Sequence, residues 1–200
     1  MKKNKDWFVD KANDYDINKH RTQNVTNIAQ GILKEIPFSK TMRIMDFGSG
    51  TGLLLSEIAP YVEKITAVDI STSMNNVLKA KKVACEIQVI EMDLTKTKLD
   101  KKFDSIISSM TLHHIEDVKG LFKKFYQLLN DNGTLAIADL DKEDGSFHTT
   151  DTGVYHYGFD REEFKGLAEN AGFRNIKIQS ISTAKKETGN YSVFLLTGEK

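Results

Sequence analysis

The sequence predicts an α/β fold of three layers, in which helices cover both faces of a mostly parallel seven-stranded sheet that ends in an antiparallel hairpin. Three observations carry this. Five short apolar runs alternate with segments of helical period, the pattern of β-α units on a parallel sheet. Two further strand-like runs, 176–181 and 191–197, stand too close together for a crossover helix and must pair as a hairpin. One run closes on an acid and three alternating glycines, Asp46-Phe47-Gly48-Ser49-Gly50-Thr51-Gly52, directly before a helical segment. Glycines there let the backbone approach a ligand.

Each element has its own signal. Val25, Ile28, Ala29, Ile32, Leu33 and Ile36 share one helical face, and Pro37 stops the helix. Residues 42–47, 65–70, 87–92, 103–109 and 135–140 read as strands, with helices between them. The strongest of these helices, 117–129, carries Val118, Leu121, Phe122, Phe125 and Leu128 on one stripe, with Asn132-Gly133 as its exit turn. Another starts at the N-cap Asp160, has Glu163 three residues on, and ends at Gly172. With only Pro37 and Pro60 and no low-complexity stretch, nothing marks a linker. Residues 1–200 are therefore read as one domain, with accessory or lid helices over 1–40, a core over 41–200 and an acidic insertion at 141–159.

The charge balance gives nucleic-acid binding no support without excluding it. Lys plus Arg and Asp plus Glu both total 28, so the net charge is zero, and no overall field would recruit a polyanion. No nucleic-acid partner is expected. The single cysteine, Cys85, forms no internal disulfide and reads as a packing residue. The start, 1–10, is too polar for a secretory signal, and no apolar run approaches the roughly 18 residues of a membrane span. A soluble, cytoplasmic protein is expected.

The glycine loop suits many nucleotides, but Asp69 stands 17 residues beyond Gly52 at the end of the second strand, close to the spacing of a ribose-binding acid. A dinucleotide oxidoreductase is disfavoured, because Leu53 stands where its fingerprint wants Gly or Ala, and Asp46 would repel a pyrophosphate. A cationic ligand would welcome Asp46.

Asp46 to Gly52 resembles motif I of the class I S-adenosylmethionine-dependent methyltransferases. Val68-Asp69 resembles that family's second-strand acid, Glu91-Met92-Asp93-Leu94 its acid after the third strand, and Ser108-Ser109-Met110-Thr111-Leu112-His113-His114-Ile115 the segment after the fourth strand in its small-molecule branch. The resemblance covers about residues 40–200 and implies a Rossmann-like fold with S-adenosylmethionine as cofactor. It implies that Gly48, Gly50 and Gly52 wrap the methionine and ribose portion, and that Asp46 faces the amino-acid end. Asp69 would hold the ribose hydroxyls, Ile70 would pack on the adenine, and Asp93 would read its amino group, with Met92 and Ser109 lining the same site. It further implies that the stretch around Tyr15 closes over cofactor and acceptor, although an anchored, frayed terminus explains Trp7, Phe8 and Tyr15 as well.

Methyl transfer from a sulfonium is an in-line displacement, so positioning comes first and a general base is optional. Base candidates lie in the loops after the fourth and fifth strands. His113 and His114 adjoin, and their side chains are expected to diverge, so that at most one faces the site. The insertion brings Asp141, Glu143, Asp144 and Asp151 with His148, Tyr155 and His156. It reads as a lid for a polar or cationic acceptor, with Asp144 and Tyr155 binding it and His148 or His156 as base, or else as a solvated acidic loop. Its spacings match no compact ligand motif, and no metal is expected. The leading reading is an enzyme that methylates a small-molecule acceptor; the alternative is a catalytically silent cofactor-binding subunit. The acceptor atom and oligomeric state stay open.

Overall fold

The computed structural model describes residues 6–200; residues 1–5, on which the signal-peptide reading partly rests, lie outside them. Seven strands form one sheet in the order β3-β2-β1-β4-β5-β7-β6. They are β1 (Arg43–Phe47), β2 (Lys64–Asp69), β3 (Glu86–Glu91), β4 (Phe103–Ser109), β5 (Leu129–Leu140), β6 (Arg174–Lys186) and β7 (Gly189–Glu199). The first five are parallel, while β7 runs antiparallel between β5 and β6. Strand order reverses between β1 and β4, the crevice where ligands bind in open α/β sheets.

Alternation along the strands builds the two faces. Ile44, Ile107, Ala136, Ala138, Val193 and Leu195 pack under α1 (Lys19–Glu35) and α2 (Leu53–Ile58), and α3 (Thr72–Ala80) adds Leu78 to this cluster. Their neighbours Met45, Ile106, Leu135, Ile137, Phe194 and Leu196 pack under α4 (Val118–Leu128) and α5 (Arg161–Ala171). α1 begins earlier than its apolar stripe, because Asn18 accepts from the Arg21 N–H as N-cap. Asp160 accepts from the Glu162 and Glu163 N–H groups, and Gly172 closes α5 in the left-handed region at φ 107°. Among the described residues no helix is long and apolar enough to cross a membrane.

Two expectations are corrected. No helix joins β3 to β4: residues 92–102 form turns in which Lys96 and Thr97 donate backbone N–H groups to the Asp93 carbonyl, and Leu94 is buried in the core instead. Asn132-Gly133 is not the exit turn of α4. The chain leaves α4 directly into β5 at Leu129, which pairs with Phe103, and Asn132 at φ 63° marks an irregularity inside that strand.

Candidate active site at the carboxyl edge of the sheet

The loop after β1 turns on three glycines with φ of 69°, 53° and 84° at Gly48, Gly50 and Gly52. They serve different needs. A Cβ at Gly48 would stand 2.1 Å from the Thr111 side chain, and one at Gly52 would stand 2.5 Å from Leu78, so both are demanded by packing. A Cβ at Gly50 would meet nothing within 4 Å. The Gly50 N–H donates to Asp69 Oδ2 at 2.8 Å.

The other Asp69 oxygen accepts from the Ser71 N–H at 2.8 Å. Burial raises the Asp69 pKa against these two N–H groups. Asp46 is more extreme. Burial, and then repulsion from Asp69, hold its carboxyl well above the usual range, with partial relief from the Leu55 N–H. Its Oδ2 is buried without a hydrogen-bond partner among the described residues, and so are Ser49 Oγ and Ser109 Oγ. Buried polar atoms left without partners are rare, and water, an ion or a ligand answers them. The residues present therefore fit a polar, cation-bearing cofactor.

The remaining expected cofactor residues border this group. Ile70 is 53% exposed, an apolar face beside Asp69. The Met92 N–H donates to the Asp69 carbonyl. Asp93 accepts from the Thr95 N–H and pairs with Lys96 at 2.7 Å. Burial works against ionisation there, but Lys96 and Thr95 hold Asp93 below its ordinary value.

The segment before α1 is anchored over the loop. Asp6 accepts from Ser71 Oγ and from Ser73 N–H and Oγ–H. Asp16 accepts from Thr51 Oγ1 at 2.6 Å and pairs with Lys81. Tyr15 lies under the Arg21 guanidinium at 3.9 Å, and burial raises its pKa. The stretch around Tyr15, Asp16 included, is marked in the sequence by its resemblance, whereas nothing local distinguishes Asp6 from an ordinary surface acid.

On the far side of Thr111, the 3-10 turn Leu112–His114 carries two histidines. The expectation that their rings diverge is corrected. Successive residues of a 3-10 turn lie about 120° apart rather than on opposite sides, and the two rings sit 4.3 Å apart. His148 joins them from the insertion, 5.1 Å from His113 and 5.6 Å from His114. His113 Nδ1 lies 2.6 Å from Asp139 Oδ1, and the other Asp139 oxygen accepts from the Leu112 and His113 N–H groups. Burial, followed by neighbouring His113, pushes His114 from the usual 6.5 to about 4 and His148 to about 3. Both are neutral near pH 7, and such low values make them feeble general bases.

His156 stands outside this trio. Its Nε2 donates to the Ile115 carbonyl at 2.9 Å and its ring stacks on Phe159, so it ties the insertion down. The Tyr155 N–H donates to the His113 carbonyl, and the tyrosine itself is 58% exposed. The acids of the insertion do not form an open acidic surface. Asp141 is held in a two-point pair by Arg161, Glu143 accepts from the Gly145 and Phe147 N–H groups, and Asp151 accepts from Gly153. Asp144 is exposed and accepts from the Ser146 N–H, a turn-closing role.

Comparisons with known proteins place the chain in a family. A family described as a methyltransferase domain matches residues 18–178. The chain belongs to that family, and its class is that of the S-adenosylmethionine-dependent methyltransferases of class I. An uncharacterized methyltransferase of Schizosaccharomyces pombe is 30% identical over 68% of this chain and 55% of its own length. The chain thus spans little more than half of that relative. Among solved structures, phosphoethanolamine N-methyltransferase 2 of Haemonchus contortus, in complex with phosphomonomethylethanolamine and S-adenosylhomocysteine, superposes with a TM-score of 0.71 at 20% identity, covering 87% of this chain and 52% of that one. The methyltransferase in complex with the Trm112 activator of Haloferax volcanii gives 0.79 at 14% identity over 97% of this chain and 96% of the other. These likenesses bear out the Rossmann-like fold.

Proposed function

We propose that the protein binds S-adenosylmethionine over the glycine loop and transfers its methyl group to a small-molecule acceptor held beside the three histidines. The observation that carries this is the set of buried oxygens without partners, Asp46 Oδ2, Ser49 Oγ and Ser109 Oγ, around a loop that opens to free space at Gly50. When bound, the cofactor supplies a methyl group on a positively charged sulfur.

The chain's residues divide the rest. Asp69, fixed by Gly50 and Ser71, keeps lone pairs for two ribose hydroxyls. Ile70 offers apolar surface to the adenine and Asp93 an acceptor to its amino group, while Asp46 faces the cationic amino-acid end. Tyr15, anchored beside Asp16, closes the cleft and excludes water. His113, with Asp139 behind it, and His148 bound the acceptor and orient it; with their low basicity, positioning outweighs proton removal at His114 and His148. A small acceptor is supported by the zero net charge and by the likeness to an enzyme solved with phosphomonomethylethanolamine.

Incubation with S-adenosylmethionine and a metabolite extract tests this. Extract-dependent release of S-adenosylhomocysteine, abolished in Asp69→Ala, is expected. Cofactor binding without any extract-dependent product would instead identify a silent binding subunit.

A further inference from the structure

His113, His114 and His148 are three of the five histidines in the chain. One nitrogen from each lies within 4.8 Å of a nitrogen of both others. Every ring has its Nδ1 against an oxygen: the Asp139 carboxylate at 2.6 Å, the Gly153 carbonyl at 3.3 Å and the Thr152 hydroxyl at 3.1 Å. The Asp139 carboxylate and the Gly153 carbonyl only accept, so they take the Nδ1–H of His113 and His114 and leave each Nε2 its lone pair; at His148 the Thr152 hydroxyl does the same in the tautomer where it accepts. Packing alone would leave these nitrogens satisfied, yet His148 Nε2 is buried and has no hydrogen-bond partner among the described residues.

We propose that His113, His114 and His148 form a binding site for a divalent transition ion of the zinc type, with Asp139 as the carboxylate behind His113 and a fourth position open to water or to an oxygen of the acceptor. The donor set selects the ion. Three imidazoles with no carboxylate among them suit Zn²⁺ and its transition-metal neighbours, whereas Mg²⁺ and Ca²⁺ want oxygen ligands. A carboxylate hydrogen-bonded to a ligating histidine is the usual outer partner in such centres, and the buried Asp139 supplies that geometry.

Tetrahedral zinc with Zn–N of about 2.05 Å holds its nitrogens about 3.3 Å apart. From 4.8 Å the rings must therefore draw in by up to about 1.5 Å. His148 can supply most of this, since it sits on the loop between β5 and α5 rather than in the sheet. The open position would lie on the acceptor side, because the histidine turn begins directly after Thr111, which packs on Gly48. That placement rests on the methyl-transfer reading; metal binding itself does not.

Calorimetric titration of the metal-stripped protein with ZnCl₂ alone, without cofactor, tests the site, with Co²⁺ absorption in the visible as a second readout. One equivalent bound, with four-coordinate Co²⁺ bands, is expected. Binding should weaken at least ten-fold in His148→Ala and in His114→Ala, and stay unchanged in His20→Ala, whose histidine lies exposed on α1. Circular dichroism identifies the folded variants to be compared, and His148→Ala, on a surface loop, keeps the comparison available if His114→Ala unfolds. No binding by the folded wild type, or binding that persists in the folded histidine variants, would overturn the proposal.

Discussion

Asp46, one residue before the end of β1, has an oxygen that no group among the described residues answers and like-charged Asp69 beside it, so ionisation there destabilises the protein without ligand and favours a cationic one. The histidines carry the opposite kind of strain. Folding holds His114 at about 4 and His148 at about 3, while the unfolded chain titrates near 6.5. Below pH 6.5 the unfolded state therefore binds more protons, and stability falls as pH drops from about 6.5 towards 4 and 3. The slope reaches at most about 1.4 kcal/mol per pH unit for His114 and less for the more exposed His148. Urea unfolding with chelator present should show the wild type losing more stability between pH 6.5 and pH 5 than His114→Asn does. Equal losses would contradict this account.

At the scale of elements, the glycine loop separates folding from binding. Gly50→Ala meets open space and pays only for its left-handed backbone, about 1–2 kcal/mol, while placing a methyl where the proposed site would receive the cofactor. Gly48→Ala adds a collision with Thr111 and should cost about 3 kcal/mol or more. Thermal melts and cofactor titrations should show Gly50→Ala folded with at least ten-fold weaker binding and Gly48→Ala markedly less stable; identical melts would contradict the contrast. This loop was legible in the sequence because its acid, glycines and following helix are contiguous. So were α5, with Asp160 and Gly172 at its ends, and the β6–β7 hairpin. The β3–β4 connection was not, because the apolar residues of 92–102, Met92, Leu94 and Leu99, reach the core from turns and share no helical stripe. The histidine trio was hidden for a different reason: His148 reaches His113 only through the fold of the insertion, and the 3-10 turn that turns both His113 and His114 to one side leaves no sequence mark.

Across the whole molecule, the reversal of strand order between β1 and β4 gathers at one edge what the chain separates by long stretches of sequence: Asp46 near the end of β1 with the glycines that follow, Asp69 at the end of β2, Asp93 after β3, the histidine turn after β4 and Asp139 near the end of β5. The segment before α1 is tied across that edge by Asp6 and Asp16. What occupies this edge decides the function. Isothermal titration with S-adenosylmethionine, S-adenosylhomocysteine and NAD tests it most directly. One equivalent of each of the first two should bind, at least ten-fold more weakly in Asp69→Ala, and NAD should not bind. Absence of S-adenosylmethionine binding, or a preference for NAD, would contradict the site built around Asp46, Gly50 and Asp69.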